Sequence, residues 1–323
     1  MTTADGGTGT DAPPVSVLLT CYNHERYVET MLDSIAAQTL RPAQLIVTDD
    51  ASTDGSADRI AAWLAVHWPD ADFVRHETNT GLPRMLNEAL PLVRHELLAF
   101  ASADDWLRPD RLEREAAFLA ADPDVALVYS DMELIDEAGE PMGLRYYDYA
   151  SPPVEGDVFL PMLEACVPSS PTVMVRTEAL VGLGPYDETL MFEDWDMWLR
   201  LSRTARFAYL PDPLVRYRRS ASSLSKSEAF RLAFGEAAIR VLYKHVGVSR
   251  AADRIIARRV GTLARELYKK GRAPGVTAAD LRFAMRRHPT PRGLASLGLA
   301  TVGVPGPSVV AAAARVRGVG RRR

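Results

Sequence analysis

Two adjacent carboxylates, Asp104 and Asp105, close an apolar run that begins at Leu97, within the stretch LAFASADDWLRPDRL from Leu98 to Leu112. Carboxylate oxygens at the end of a buried strand can hold a divalent cation. A second acid-rich turn, Asp49-Asp50-Ala51-Ser52-Thr53-Asp54-Gly55-Ser56, follows Leu45-Ile46-Val47, and a polar turn, Cys21-Tyr22-Asn23-His24, follows Val15–Thr20. Glu193 and Asp194 stand at the acidic start of Phe192–Leu201. Other chemistries are excluded by spacing. Cys21 and Cys166 sit in no C-x-x-C pair and the six histidines form no H-E-x-x-H, so zinc and a disulfide framework are not expected and a reducing compartment is. There is no G-x-x-x-x-G-K-[ST], and no G-x-G-x-x-G follows the first strand, which removes a P-loop and a dinucleotide fold.

The elements that must carry these groups alternate. The sequence predicts a buried strand over Val15–Thr20, a helix from Glu25 to Ala37 and a strand at Leu45–Val47. A helix at about 56–67 follows, then a strand at Asp72–Arg75, the loop Asn79-Thr80-Gly81, a helix from about Pro83 to Val93 and a strand from Leu97. Strand–helix alternation at this spacing implies a right-handed, mostly parallel sheet in an α/β fold, with ligands bound outside the carboxyl ends of the strands. Three of those ends carry the polar clusters just named. Further on, the pattern gives a helix at 109–121, strands at Val125–Ser130 and Thr172–Val175, and late strands at Phe207–Leu210 and Leu214–Tyr217. The span 131–170 is the least patterned.

With 323 residues, 47% hydrophobic and 25% charged, the chain reads as an ordinary globular protein of one large domain plus an appendage. Its net charge of −4 conceals a division. Residues 1–225 hold 17 basic and 37 acidic side chains, whereas residues 226–323 hold 21 basic and 5 acidic. The expected organisation is a leader over 1–12, a sheet domain over 13–225 and a basic helical extension over 226–323 that ends in a flexible tail. The extension either packs on its own acidic domain or meets an anionic membrane surface or a phosphate-bearing acceptor. Residues 294–314 lack charge but contain Pro305 and Pro307, too broken for a membrane span. No signal peptide is read in the first residues.

Four ordered blocks, VSVLLTCYNHERYVETMLDSIAAQT, LIVTDDASTDGS, ASADDWLRPDRL and FEDWDMWLRL, together resemble family 2 glycosyltransferases of the GT-A fold, over roughly Val15 to Ser225. The resemblance implies a Rossmann-like sheet flanked by helices, and inverting transfer of a sugar from a nucleoside-diphosphate-sugar, a UDP-sugar foremost, with Mg²⁺ or Mn²⁺. It implies Asp105 as the metal ligand, Asp104 on ribose or sugar hydroxyls, Asp50 on the base and Tyr22 stacked against it. Thr20, Asn23 and Arg84 would complete the nucleotide-sugar site, and Asp194 would be the base that takes the acceptor proton. Ser170, Glu193, Trp195, Arg218 and Arg219 fall on the acceptor or diphosphate side. Two positions depart from the family pattern: Ser102 replaces the first acid of the metal motif, and Ser220 replaces a histidine.

Each residue also has a plainer role open to it. Asp104 and Asp105 can cap a helix, Asp49–Gly55 can be a turn, and Arg84 can be a solvated helix arginine. Glu193 and Asp194 can complement a helix dipole, an environment that keeps Asp194 ionised, and Trp195, Trp198 and Leu199 suit a core. The acceptor is open among glycan, lipid-linked and small-molecule hydroxyls, and nucleic acid is not expected as a partner. The expected location is cytoplasmic, with the basic extension at the inner face of the membrane. A sugar nucleotidyltransferase is one rival, although that class is glycine-rich after its first strand. A non-catalytic carbohydrate- or membrane-binding protein on the same fold is another.

Overall fold

The computed structural model describes residues 13–190, 193–219, 228–271 and 274–310; the leader 1–12 and Ser220 lie outside them. The chain forms two compact units. The first comprises the described residues up to Val158, Val167–Glu188, and the residues from Met197 to Arg219.

This unit is built on a nine-stranded sheet. Its first half is β1 (Val15–Cys21), α1 (Val28–Ala36), β2 (Gln44–Asp49), α2 (Ser56–His67), β3 (Asp72–Arg75), α3 (Leu82–Ala89) and β4 (Leu97–Ser102). Its second half is β5 (Trp106–Leu107), α4 (Arg111–Ala121), β6 (Val125–Ile135), β7 (Pro141–Arg145), then β8 (Val173–Arg176) and finally β9 (Arg206–Arg218). In chain order a short helix, α5 (Phe159–Met162), falls between β7 and β8, and two more, α6 (Thr177–Val181) and α7 (Glu193–Leu201), precede β9; α5 and the start of α7 belong to the second unit. The strand order is β3-β2-β1-β4-β8-β6-β9-β5, with β7 on β6. Strands β1 to β4 pair in parallel, as alternation with helices requires. The second half is mixed: β8 runs antiparallel to both neighbours, β4 and β6, while β6 and β9 are parallel.

Two local differences from the sequence reading have physical causes. The late strands form one strand, β9, because its register against β6 jumps from Ser130↔Leu210 to Asp131↔Pro213. A bulge there absorbs Pro211-Asp212, which a regular ladder cannot accept. The span after Ser130 is more regular than its composition suggests. Strand β6 continues to Ile135 and turns into β7 through Asp136–Glu140, where Asp136 Oδ1 accepts the N–H groups of Ala138 and Glu140. Gly139 supplies the positive φ (92°) that the turn needs.

The sheet core is apolar from end to end: Val17, Leu19, Leu45, Val47, Leu97 and Ala99 are all buried. One buried polar pair inside it is fully partnered. Arg111 and Glu115, one helical turn apart on α4, form a fully buried ion pair. The same guanidinium donates to Phe100 O (3.1 Å) and Val173 O (3.3 Å), tying β4 to β8.

The second unit comprises Phe159–Cys166, the described residues from Thr189 to Asp196, and the described residues beyond 222. It contains the helices α8 (Glu228–Tyr243), α9 (Arg250–Lys269), α10 (Pro274–Arg287) and α11 (Pro291–Thr301). On α9 the buried residues Ala252, Ile256, Val260, Ala264 and Leu267 recur at helical spacing and make the inner stripe. Ser249 caps that helix by accepting the Ala252 N–H. Residues 294–301, read from sequence as the start of a tail, lie in α11, whose cap Thr290 accepts the Gly293 N–H.

Candidate active site

Parallel pairing sets three polar strand ends side by side. Thr20 is opposite Thr48 on one side and Ser102 on the other, and Cys21 is opposite Asp49. Beyond the strands the backbones stay joined: Asp50 N–H donates to Cys21 O and Ala103 N–H to Thr20 O. The Thr20 hydroxyl reaches Ala101 O (3.5 Å). The structure thus brings Thr20, Asn23, Asp50 and the Asp104–Asp105 turn to one end of the sheet.

The β1 and β2 turns are laced together. Asn23 donates its N–H to Ser52 Oγ and accepts the Thr53 N–H on Oδ1, both at 2.8 Å. Asp54 takes the Glu25 and Ser56 N–H groups, and Asp49 takes the Ser52 N–H and hydroxyl. Asn23 (φ 58°) and Ala51 (φ 59°) are left-handed, a conformation costing roughly 1–2 kcal/mol in a residue with a Cβ. This network leaves the Tyr22 side chain 44% exposed at the rim.

Asp50 binds within the protein. Its Oδ1 accepts the Thr80 N–H (2.8 Å), the Thr80 hydroxyl and a His76 ring nitrogen, and its Oδ2 accepts the Gly81 N–H (2.8 Å). Burial opposes ionisation here, but these four donors outweigh it and hold the carboxyl below the usual carboxylate range. Gly81 meets this contact at φ 87°, where a side chain would be strained. His76, which sequence reasoning missed, also reaches Glu88 (3.0 Å), and Glu88 pairs with Arg84 (3.0 Å). Arg84 is therefore an exposed arginine anchored one turn along α3.

Asp105 is fully buried. Its Oδ1 accepts the Arg218 backbone N–H (3.0 Å), and its Oδ2 is buried with no hydrogen-bond partner. Burial, with Asp104 beside it, pushes its carboxyl well above the usual range. Asp104 is half-exposed and lies 3.9 Å from His24, a second residue missed in the sequence. Arg218 is only 8% exposed, and its guanidinium donates to the carbonyls of Asp104, Asp136 and Glu137 over the Tyr27 ring. It clamps the acid turn to the β6–β7 hairpin. Arg219 is exposed and lies over Tyr149 (5.5 Å). Ser170 starts a single 3-10 turn leading into β8, and Ser102 is the last residue of β4.

An uncompensated buried carboxylate oxygen is a good place for a cation. Among the described residues no group of three or more His, Cys, Asp or Glu side chains surrounds such a point. Asp105 fits the manner in which Mg²⁺ is usually held, by one or two carboxylates with phosphate oxygens and water completing the shell.

Glu193, Asp194 and Trp195 belong to the second unit and form the first turn of α7. Trp195 is 2% exposed; its indole donates to Met162 O (2.8 Å) and its backbone N–H to Asp194 Oδ1 (2.6 Å). The helix start does not dominate here. Burial pushes Asp194 up to about 6 and Glu193, with Asp194 beside it, to about 8. Desolvation thus exceeds the helix-terminal effect, which is typically about 0.3–1 kcal/mol and reaches about 2 kcal/mol only in favourable partly buried geometries.

A family described as Glycosyl transferase family 2 matches residues 16–180, just over half of the chain, from β1 into α6. The chain belongs to glycosyl transferase family 2. EpsE of Bacillus subtilis is 33% identical over 192 residues, which cover 58% of this chain and 66% of that protein. The chain thus spans just under two thirds of that relative. AmsE of Erwinia amylovora, an amylovoran biosynthesis glycosyltransferase, is 27% identical over 220 residues, 65% of this chain and 78% of that protein. In architecture the chain is similar to S. aureus TarS 1-349 in complex with UDP, with a TM-score of 0.60 and 18% identity over 90% of this chain and 92% of that one. It is also similar to the mannosyltransferase PcManGT from Pyrobaculum calidifontis in complex with GDP-Man and Mn²⁺, with a TM-score of 0.57 and 20% identity over 95% of this chain and 81% of that one. At these identities the likeness shows the GT-A fold. Among the described residues no helix is long and apolar enough to cross a membrane.

Proposed function

We propose that this family 2 member transfers a sugar from a nucleoside-diphosphate-sugar to an acceptor hydroxyl in one inverting displacement. The observation that carries the reading is Asp105: a buried carboxylate with one oxygen uncompensated, at the strand end where Thr20, Asn23 and Asp50 also gather. When a divalent cation is bound there, it stabilises the charge that builds on the departing diphosphate. Asp105 would hold it, Asp104 would meet ribose or sugar hydroxyls, and exposed Tyr22 offers a face to the base. Asp50 contributes by fixing Thr80 and Gly81, so any base contact it makes competes with four existing bonds. Arg84 and Arg219 are exposed guanidiniums available to phosphate oxygens. Asp194 is the base in this reading: at neutral pH a carboxyl pushed up to about 6 is mostly ionised yet more basic than a solvated one. Ser170, Glu193 and Trp195 are assigned to the acceptor side.

Uracil is the first base to test, as a UDP-sugar, with guanine the alternative, as a GDP-sugar, following the ligands named for the two similar structures. The acceptor we favour is a growing glycan, as AmsE's name suggests for that relative. The basic residues after 226, with exposed Leu294 and Val302 on and beside α11, favour contact with an anionic membrane surface. The deciding experiment incubates the full chain with a panel of nucleotide-sugars, with and without Mn²⁺, and measures nucleoside diphosphate release. Release with one donor, dependent on the cation and lost in Asp105→Asn, supports the reading. Release with no donor, or pyrophosphate formation from a sugar 1-phosphate and a nucleoside triphosphate, overturns it.

A further inference from the structure

Arg26, Arg216 and Arg218 converge on a cavity of about 380 Å³ beside the N-terminal end of α1, closed by Tyr27, Trp106 and the hairpin tip at Glu137–Gly139. That volume is in the range of small-molecule sites. None of Thr20, Tyr22, Asn23, Asp50, Asp104 or Asp105 lines it, so it is separate from the strand-end site. The arginines lie against aromatic walls: Arg216 is 4.2 Å from the Trp106 ring centre, and Arg218 and Arg26 are 4.1 Å and 5.4 Å from that of Tyr27.

The charges in this cavity are out of balance. The lining carries three guanidiniums against one carboxylate, Glu137. Arg216 pairs with Glu133 (2.8 Å) from outside the lining. Among the described residues neither the Arg26 nor the Arg218 guanidinium forms an ion pair within 4.0 Å, although the Arg218 backbone N–H meets Asp105 at 3.0 Å. Arg218 is the telling one, because it is more than nine-tenths buried. Its carbonyl partners occupy Nε and Nη1 but not Nη2, and its charge is met only at longer range, by the attraction it shares with Asp105.

We propose that this cavity is a second binding site, for a phosphate monoester. A tetrahedral dianion can accept from three guanidiniums at once, Arg26 before α1 and Arg216 and Arg218 on β9, whereas a single carboxylate is matched by one arginine fork. Its charge of about −1.5 to −2 also meets the surplus in the lining. Occupancy would be felt next door. Arg218 holds Asp105 Oδ1 through its backbone N–H and Asp104 O through Nε, so an anion that fixes Arg218 also fixes the acid turn.

The ester could be a soluble sugar phosphate or a phospholipid headgroup, and the test separates them. The full chain is titrated with glycerol 3-phosphate by calorimetry, and in parallel with phosphatidylcholine vesicles with or without phosphatidic acid. Binding to either phosphate source is expected to weaken about tenfold in Arg26→Gln and again in Arg216→Gln, the loss of one charge-assisted bond each. Response to glycerol 3-phosphate assigns a soluble ligand, and response only to phosphatidic acid vesicles assigns a headgroup. Should Arg216→Gln unfold through loss of Glu133, Arg26→Gln alone carries the test, since Arg26 is exposed and makes no ion pair among the described residues. Absence of binding in both arms, binding unchanged by Arg26→Gln, or full displacement by a nucleoside diphosphate overturns the proposal.

Discussion

Replacing Asp105 by Asn separates a binding carboxylate from a structural one. Asn is isosteric, so its amide oxygen can keep the Arg218 N–H that Asp105 Oδ1 accepts at 3.0 Å. What is removed is a buried carboxyl whose ionised form is disfavoured by burial and by Asp104 beside it, and whose second oxygen has no partner. Without ligands the variant should therefore be no less stable than the parent. A gain of about 1 kcal/mol would raise the melting temperature by about 1–2 °C for a chain of this size. With ligand the order reverses. At about 100 times its Kd, a nucleoside diphosphate with Mn²⁺ stabilises the parent by about 2.7 kcal/mol. The variant should lose most of that shift, and turnover should fall about a thousandfold, equivalent to about 4 kcal/mol of charge stabilisation. Scanning calorimetry with and without Mn²⁺ and diphosphate, beside a release assay, reads both. A cation-dependent shift equal to the parent's, or a ligand-free loss above about 2 kcal/mol, would show that Asp105 serves the fold instead.

Asp194→Asn should lower transfer by about 10²- to 10⁴-fold while leaving nucleotide binding in place; full activity in that variant removes the base assignment. The parent's rate should fall as pH drops through about 6, where Asp194 takes up its proton, and a rate flat from pH 7 to 5 would contradict this. Stability has the opposite slope: between about pH 4 and pH 8 the folded chain holds protons on Asp194 and Glu193 that the unfolded chain has released, so stability from this pair declines as pH rises, and denaturant midpoints should show it. Asp50→Ala strands the Thr80 and Gly81 N–H groups and should cost about 2–4 kcal/mol, with faster amide exchange at 79–81 as the confirming signal. Glu115→Ala leaves the Arg111 guanidinium buried without its counter-charge and should cost about 3–5 kcal/mol by chemical denaturation; a loss under 1 kcal/mol would mean that the Phe100 and Val173 carbonyls suffice.

Apolar runs that end in polar residues were enough to locate β1, β2 and β4, because a strand buried on both faces must be apolar throughout and its ligand-binding end must not be. The same logic brought Thr20, Asn23, Asp50 and Asp104–Asp105 to one sheet end before any pairing was known. What each does there was not legible. Asp49 and Asp50 are adjacent and identical in type, yet one closes its own turn and the other binds a loop 30 residues away. His24, His76 and the Arg111–Glu115 pair left no pattern, since each partner arrives from a distant segment or hides in an ordinary helical spacing. Arg218 falls on the acceptor or diphosphate side in the sequence; that its guanidinium is buried and clamps the acid turn to the β6–β7 hairpin follows only from the fold. Asp194 was expected to stay ionised because helix dipoles follow from sequence position; its raised proton affinity comes from desolvation, a property of every neighbour the fold supplies. Local spacing determined which residues could do chemistry, and tertiary packing decided their charge, their partners and which of them remain available to a ligand.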